Sequence, residues 1–200
     1  MSDVLVPRRQ FLFNAAGFWL LRKAAGPVLV QAGRRIDASN ATVARFPAVN
    51  IDIVRGRIRK YLEAAKPDFL VASAACGADL LCLEVAGELK VNRVVLLPTD
   101  PKIFRNSSVV DRPGNWGEMF DRLLKEVNVE ILDVPEGQTG YFETNVRLLE
   151  RAQTMANSYN TDARALVVWD KKVRGPDDVT GHFLAQARLR KMPVVEISTL

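Results

Sequence analysis

Six short apolar runs recur along this chain, and a stretch of helical periodicity separates each from the next. The runs are Val28-Val30, Phe69-Ala72, Val94-Leu97, Val129-Leu132, Ala165-Trp169 and Val194-Ile197. They are rich in Val, Ile and Leu and do not alternate with polar residues, as strands buried on both faces of a parallel sheet require. The intervening stripes have the 3.6-residue spacing of amphipathic helices. One holds Ile51, Val54, Ile58, Tyr61 and Leu62, and a second runs over Ala78–Leu89 with Leu81, Val85 and Leu89 on one face. Three more carry Trp116 to Leu124, Phe142 to Ala156, and Phe183 to Ala187. Strands that alternate with helices specify a doubly wound α/β fold: a mostly parallel, six-stranded, Rossmann-like sheet with helices on both faces.

This domain is assigned to residues 27–200. The first 26 residues read differently. Arg8-Arg9-Gln10-Phe11-Leu12 is similar to a twin-arginine export signal, but Asn14 interrupts the apolar stretch and no A-x-A cleavage site follows. The alternative is a short apolar helix (Phe11, Leu12, Ala15, Phe18, Trp19) that packs on the domain or joins two copies as a homo-oligomer.

Composition narrows the chemistry. No run of ~18 apolar residues is present, so no transmembrane helix is expected. A single histidine, His182, excludes zinc sites built on several histidines. Cys76 and Cys82 form no metal-spaced pair and suggest a reducing, cytoplasmic location. Neither a metal nor a cofactor is expected. The net charge of +5 suits an anionic ligand; without an aromatic-basic stripe, nucleic acid is not the expected partner.

Loop lengths place the site. Returns from helix to strand are short, whereas the exits Gly33 to Pro47, Pro98 to Asn115 and Asp170 to Thr180 are long. Open α/β sheets bind ligands outside the carboxyl ends of their strands, the edge that these exits crown. Gly33, Arg34 and Arg35 offer close backbone approach and two guanidiniums for a phosphate, with Arg34 expected on the surface. Ser73-Ala74-Ala75-Cys76-Gly77-Ala78-Asp79 opens small-sided into a helix, which makes an anion cradle of its first amides. Asp79 there either caps the helix or reaches a ribose hydroxyl. Asp170 begins the last long exit, and Thr180, Gly181 and His182 open the final helix. His182 reads as a packing or hydrogen-bonding residue before a catalytic base, and Trp169 as core before a stacking surface. No G-x-G-x-x-G or G-K-[ST] motif occurs.

Ala32 to Asp37, Arg45-Phe46-Pro47, Ser73 to Asp79, and Val168-Trp169-Asp170 followed by Thr180 to Phe183 together resemble the SLOG superfamily of Rossmann-like domains. That superfamily includes the Lonely Guy phosphoribohydrolases and the DNA-processing protein A core. The resemblance spans about Pro27 to Ile197 and implies binding of a nucleotide or nucleotide-derived ligand, in sensing or regulation. It implies a pocket lined by Gly33, Arg34, Ser73, Gly77, Asp79, Asp170, Thr180 and Gly181. The phosphoribohydrolase signature P-G-G-x-G-T-x-x-E is replaced here by Gly175-Pro176-Asp177-Asp178-Val179-Thr180-Gly181-His182. The enzymatic alternative, N-glycosidic hydrolysis or transfer on a nucleoside monophosphate, would need Glu84 or Glu143 as its carboxylate.

Overall fold

A computed structural model describes residues 26–135 and 137–200. The apolar segment assigned to residues 1–26 falls outside this range except for Gly26, whose amide donates to Asp68 Oδ2 (3.1 Å).

All six apolar runs are strands: β1 (Val28–Gly33), β2 (Phe69–Ala72), β3 (Asn92–Leu97), β4 (Asn128–Ile131), β5 (Ala163–Trp169) and β6 (Val194–Ser198). They form one sheet in the order β4-β3-β2-β1-β5-β6, and every neighbouring pair is parallel. The α-helices are α1 (Ile51–Ala65), α2 (Ala78–Glu88), α3 (Pro101–Ser108), α4 (Trp116–Leu123), α5 (Gln138–Tyr159) and α6 (Val179–Leu189).

Alternate residues along each strand feed two separate cores. Leu29, Leu70, Ala72, Val95, Leu166 and Val168 pack with α1, α2, α3 and α4. Val28, Val30, Val71, Leu96, Ala165 and Val167 pack with Leu148, Leu149 and Ala152 of α5 and Phe183, Leu184 and Ala187 of α6. Helices thus cover both faces, and each fully buried Leu or Phe contributes about 1.5–3 kcal/mol.

From β1 the chain steps outward through β2, β3 and β4, and α5 then carries it back across the sheet to β5. The strand order therefore reverses between β1 and β5, which is the switch point where such sheets open a crevice.

Two expectations are corrected. The exit Pro98 to Asn115 is not a plain loop, because it holds a sixth helix, α3. Asp100 caps this helix by accepting from the Lys102 amide (2.8 Å), with Pro101 at its first position. In addition, β4 is not buried on both faces. It is one of the two edge strands, and Asn128 and Ile131 are exposed because no described strand lies beyond it.

Candidate functional site

The site is built outward from the end of β1. Gly33 is the last residue of the strand, and a Cβ there would lie on the Ala78 Cβ and the Val168 carbonyl, so glycine is what lets α2 approach the strand. The Arg34 amide extends the β1–β5 ladder to Val168 O (2.8 Å), and its carbonyl accepts from the Ala78 amide (3.0 Å). Gly77 stands at φ +92°, and a Cβ would meet the Ile36 amide at 2.7 Å and the Arg34 carbonyl at 2.8 Å. Gly77 is thus required for packing the β1 exit against α2, and a bulky residue there disturbs the fold as well as any cradle.

Arg34 is not a surface residue; it is 3% exposed. Its Nε donates to Asp170 Oδ1 (2.7 Å), Nη1 to Asp178 Oδ1 (2.5 Å), and Nη2 to Asp178 Oδ2 (2.9 Å) and to the Lys172 carbonyl (2.5 Å). The guanidinium carbon also stands 5.5 Å from the Trp169 ring centre. Burial works against its charge, but Asp178 and Asp170 hold its pKa above the ordinary value. The physical reason for the correction is chemical. A guanidinium at the switch point is flanked by two aspartates of one exit, and it fastens the β1 exit to the β5–α6 loop.

Asp178 is the N-cap of α6 and accepts from the amides of Thr180 (3.1 Å), Gly181 (3.1 Å) and Arg174 (2.8 Å). Burial pushes its carboxyl up, yet Arg34 and the Gly181 and Arg174 amides outweigh this and hold it at about 2. The first amides of α6, read from the sequence as a phosphate cradle, are already engaged by the protein's own carboxylate.

Two further cations complete the cluster, and neither was singled out as a site residue from the sequence. Arg45 Nη1 donates to Asp170 Oδ2 (2.6 Å). Arg174 reaches only to 3.8 Å from Asp178 Oδ1, with its side chain 48% exposed. Burial, with Arg34 and then Arg45 acting at a distance, lowers the Arg174 pKa from its ordinary value. Within this ion-paired cluster three guanidiniums therefore face two carboxylates, an excess of one positive charge among these five groups.

The other predicted residues divide between edge and core. Thr180 Oγ1 donates to the Gly33 carbonyl (3.2 Å), and Gly181 lies beside it, half-buried. Arg35 turns the opposite way and pairs with Asp111. Ser73 follows β2 directly and is half-buried at the same edge. Asp79 points inward, accepting from Gln31 Nε2 (3.2 Å) and from the amide of Ala75 (3.3 Å), a residue ahead of α2. His182 stacks on Phe142 at 4.2 Å, and its Nδ1 lies 3.3 Å from Asn145 Nδ2. Burial, then Arg190, lowers its pKa from the ordinary histidine value. Trp169 is core, 3% exposed, with its indole N–H on Glu196 (2.9 Å).

Glu84 is paired with Arg55 and Arg122 where α2 faces α1 and α4, and Glu143 is paired with Arg147 along α5. Among the described residues no three His, Cys, Asp or Glu gather as a metal ion would need. No described helix is long and apolar enough to cross a membrane.

No protein-family model and no curated protein matches the chain. Solved structures do. The chain is similar to DNA processing protein A from Streptococcus pneumoniae, with 11% identity, a TM-score of 0.42, and coverage of 85% of this chain and 58% of that one. It thus spans well under two thirds of that protein's length. It is also similar to DNA processing protein A from Helicobacter pylori, described for its single-stranded DNA binding mode (12% identity, TM-score 0.36, 84% and 75% covered). A third is the Moco carrier protein from Chlamydomonas reinhardtii (10% identity, TM-score 0.32, 87% and 91% covered). The fold is Rossmann-like. At this level of likeness none of the three bears on the ligand or partner of this chain.

Proposed function

We propose that this domain binds an anionic ligand of nucleotide type at the carboxyl edge of its sheet, over the switch point between β1 and β5, and serves in sensing or regulation. The observation that carries the reading is the uncompensated positive charge at that point. Arg34 is consumed by Asp170 and Asp178, whereas Arg174 is half exposed and has no close partner. In this reading Arg174, with Arg45 beside it, meets the phosphate. Ser73, Gly33 and Gly181 supply the small-sided floor, and Arg34 holds the loops in place without touching the ligand. The division of labour differs from the one that the sequence suggested, since the buried arginine is scaffold and the exposed one is the contact. The hydrolytic alternative gains no support, because both of its candidate carboxylates are tied to other arginines.

The test is thermal unfolding against a panel of AMP, ADP, sugar nucleotides and cyclic dinucleotides, since a ligand that binds only the native state raises its stability by mass action. The reading expects stabilisation by at least one of them, lost in Arg174→Ala, whose own melting temperature stays that of the parent. No stabilisation by any nucleotide, together with strongly salt-dependent retention on single-stranded DNA, would overturn it in favour of a nucleic-acid partner.

A further inference from the structure

Three aspartates are buried among the described residues: Asp79, Asp170 and Asp178. Asp170 and Asp178 are paired with arginines. Asp79 is 7% exposed and takes part in no ion pair. Its neighbour Gln31, fully buried on β1, donates Nε2 to Asp79 Oδ1 (3.2 Å), and its own Oε1 has no hydrogen-bond partner. The joint between β1 and α2 therefore holds an unpaired buried charge beside an orphaned buried acceptor. Each of these is costly, and a carboxylate cannot relieve the second because it only accepts.

One proton resolves both. A carboxylic acid and a primary amide pair through two parallel hydrogen bonds, N–H to the acid carbonyl and O–H to the amide oxygen. Gln31 already makes the first of these.

We propose that Asp79 is carried as the neutral acid, with its Oδ2 hydroxyl donating to Gln31 Oε1, so that the joint between β1 and α2 is a proton-binding site. The proton comes from solvent and is returned to it; no other bond forms or breaks. The amide of Ala75 donates to the same carboxyl (3.3 Å), and this bond survives protonation because a hydroxyl oxygen still accepts.

The surroundings agree. Burial is the dominant influence and raises the Asp79 pKa to about 7, against the Ala75, Gln31 and Gly33 hydrogen bonds and the distant charge of Arg35. The Cys82 thiol, one turn along α2, is held neutral by burial and by Asp79. The faces that β2, the loop after it and α1 turn to this core are apolar (Ala72, Ala74, Val54, Ile58), and Glu84, farther along α2, is paired with Arg55 and Arg122. This inference is independent of the ligand reading.

Folded Asp79 keeps its proton until about pH 7, whereas an unfolded aspartate releases it near ~3.9. The native state binds more protons in that interval, so stability from this group falls as pH rises through it.

The experiment compares urea unfolding of the full chain and of Asp79→Asn between about pH 5 and pH 8; the asparagine cannot titrate and donates to Gln31 Oε1, at the expense of the Ala75 bond. The parent's unfolding constant should rise about tenfold or more relative to the variant's. Parallel profiles would overturn the proposal. Infrared spectroscopy of the parent alone, at about pH 6 where ordinary carboxyls are ionised, covers the case in which the variant does not fold. A carboxylic-acid carbonyl band that vanishes by about pH 8.5 supports the proposal, and its absence refutes it.

Discussion

Replacing Arg34 with alanine should unfold this domain more readily than any surface change, although from the sequence the residue reads as a solvent-exposed phosphate contact. The guanidinium is 3% exposed and makes four hydrogen bonds, three of them to carboxylate oxygens. Its loss leaves Asp178 with backbone donors and the long contact to Arg174 (3.8 Å), and Asp170 with Arg45. Removing one partner of a buried ion pair costs about 3–5 kcal/mol, because the remaining charge is stranded in a poorly solvated place. In a domain of this size each kcal/mol moves the melting temperature by about 2–4 °C, so Arg34→Ala should melt roughly 10 °C lower. Urea unfolding at pH 7, followed by circular dichroism, gives the free energy directly, with an unchanged dependence on urea showing that the folded state is intact. The loss should shrink at about pH 3, where the stranded carboxylates can take up protons. A loss below about 1 kcal/mol at pH 7, the scale of an exposed ion pair, would refute the view that this cluster latches the two loops.

Three further outcomes follow from the same geometry. Asp178, held at about 2 in the folded state, contributes roughly 2 kcal/mol that is present above about pH 4 and lost as pH falls towards 2. Acid titration of stability should show this limb in the parent and not in Asp178→Asn. Gly77→Ala meets both a left-handed backbone (φ +92°) and a crowded site, so it should lose at least about 1–3 kcal/mol in chemical denaturation. Unchanged stability there would mean that α2 does not pack on the β1 exit as described. Arg174→Ala should leave the melting curve without ligand within about 1 °C of the parent, since its only ion pair is long and exposed; a larger fall would make it part of the latch.

Most of the fold was legible because fully buried parallel strands write themselves as uninterrupted apolar runs, and Phe69–Ala72 coincides with β2 residue for residue. The helix α3 was missed because only Phe104 and Ser108 of its eight residues are buried, too few to make an apolar stripe. Asp100-Pro101 is nonetheless an N-cap signature that signals a helix start. The exposed edge of β4 was illegible for another reason: strand order is a tertiary property, and Val129 and Ile131 look the same at an edge as in the middle.

Of the candidate site, only the gathering of strand ends was legible. Strand ends at Gly33, Ser73 and Asp170 do meet at one edge of the sheet, as topology dictates. The partners of Arg34, however, lie 136 and 144 residues further along the chain, and no local pattern reveals that Asp178 fills the α6 N-terminus. Two aspartates flanking the loop of a predicted phosphate site were the available hint, since a carboxylate beside a phosphate is unfavourable unless something else neutralises it.

The central claim is that a nucleotide-type anion binds over the switch point between β1 and β5. Amide chemical shifts of the full chain, followed by NMR as AMP or a cyclic dinucleotide is added, test it most directly. The account predicts saturable shifts clustered at residues 33–46, 73–77 and 171–182, absent from the same spectra of Arg174→Ala. Shifts centred on α3 and α4, or none at millimolar nucleotide, would contradict it.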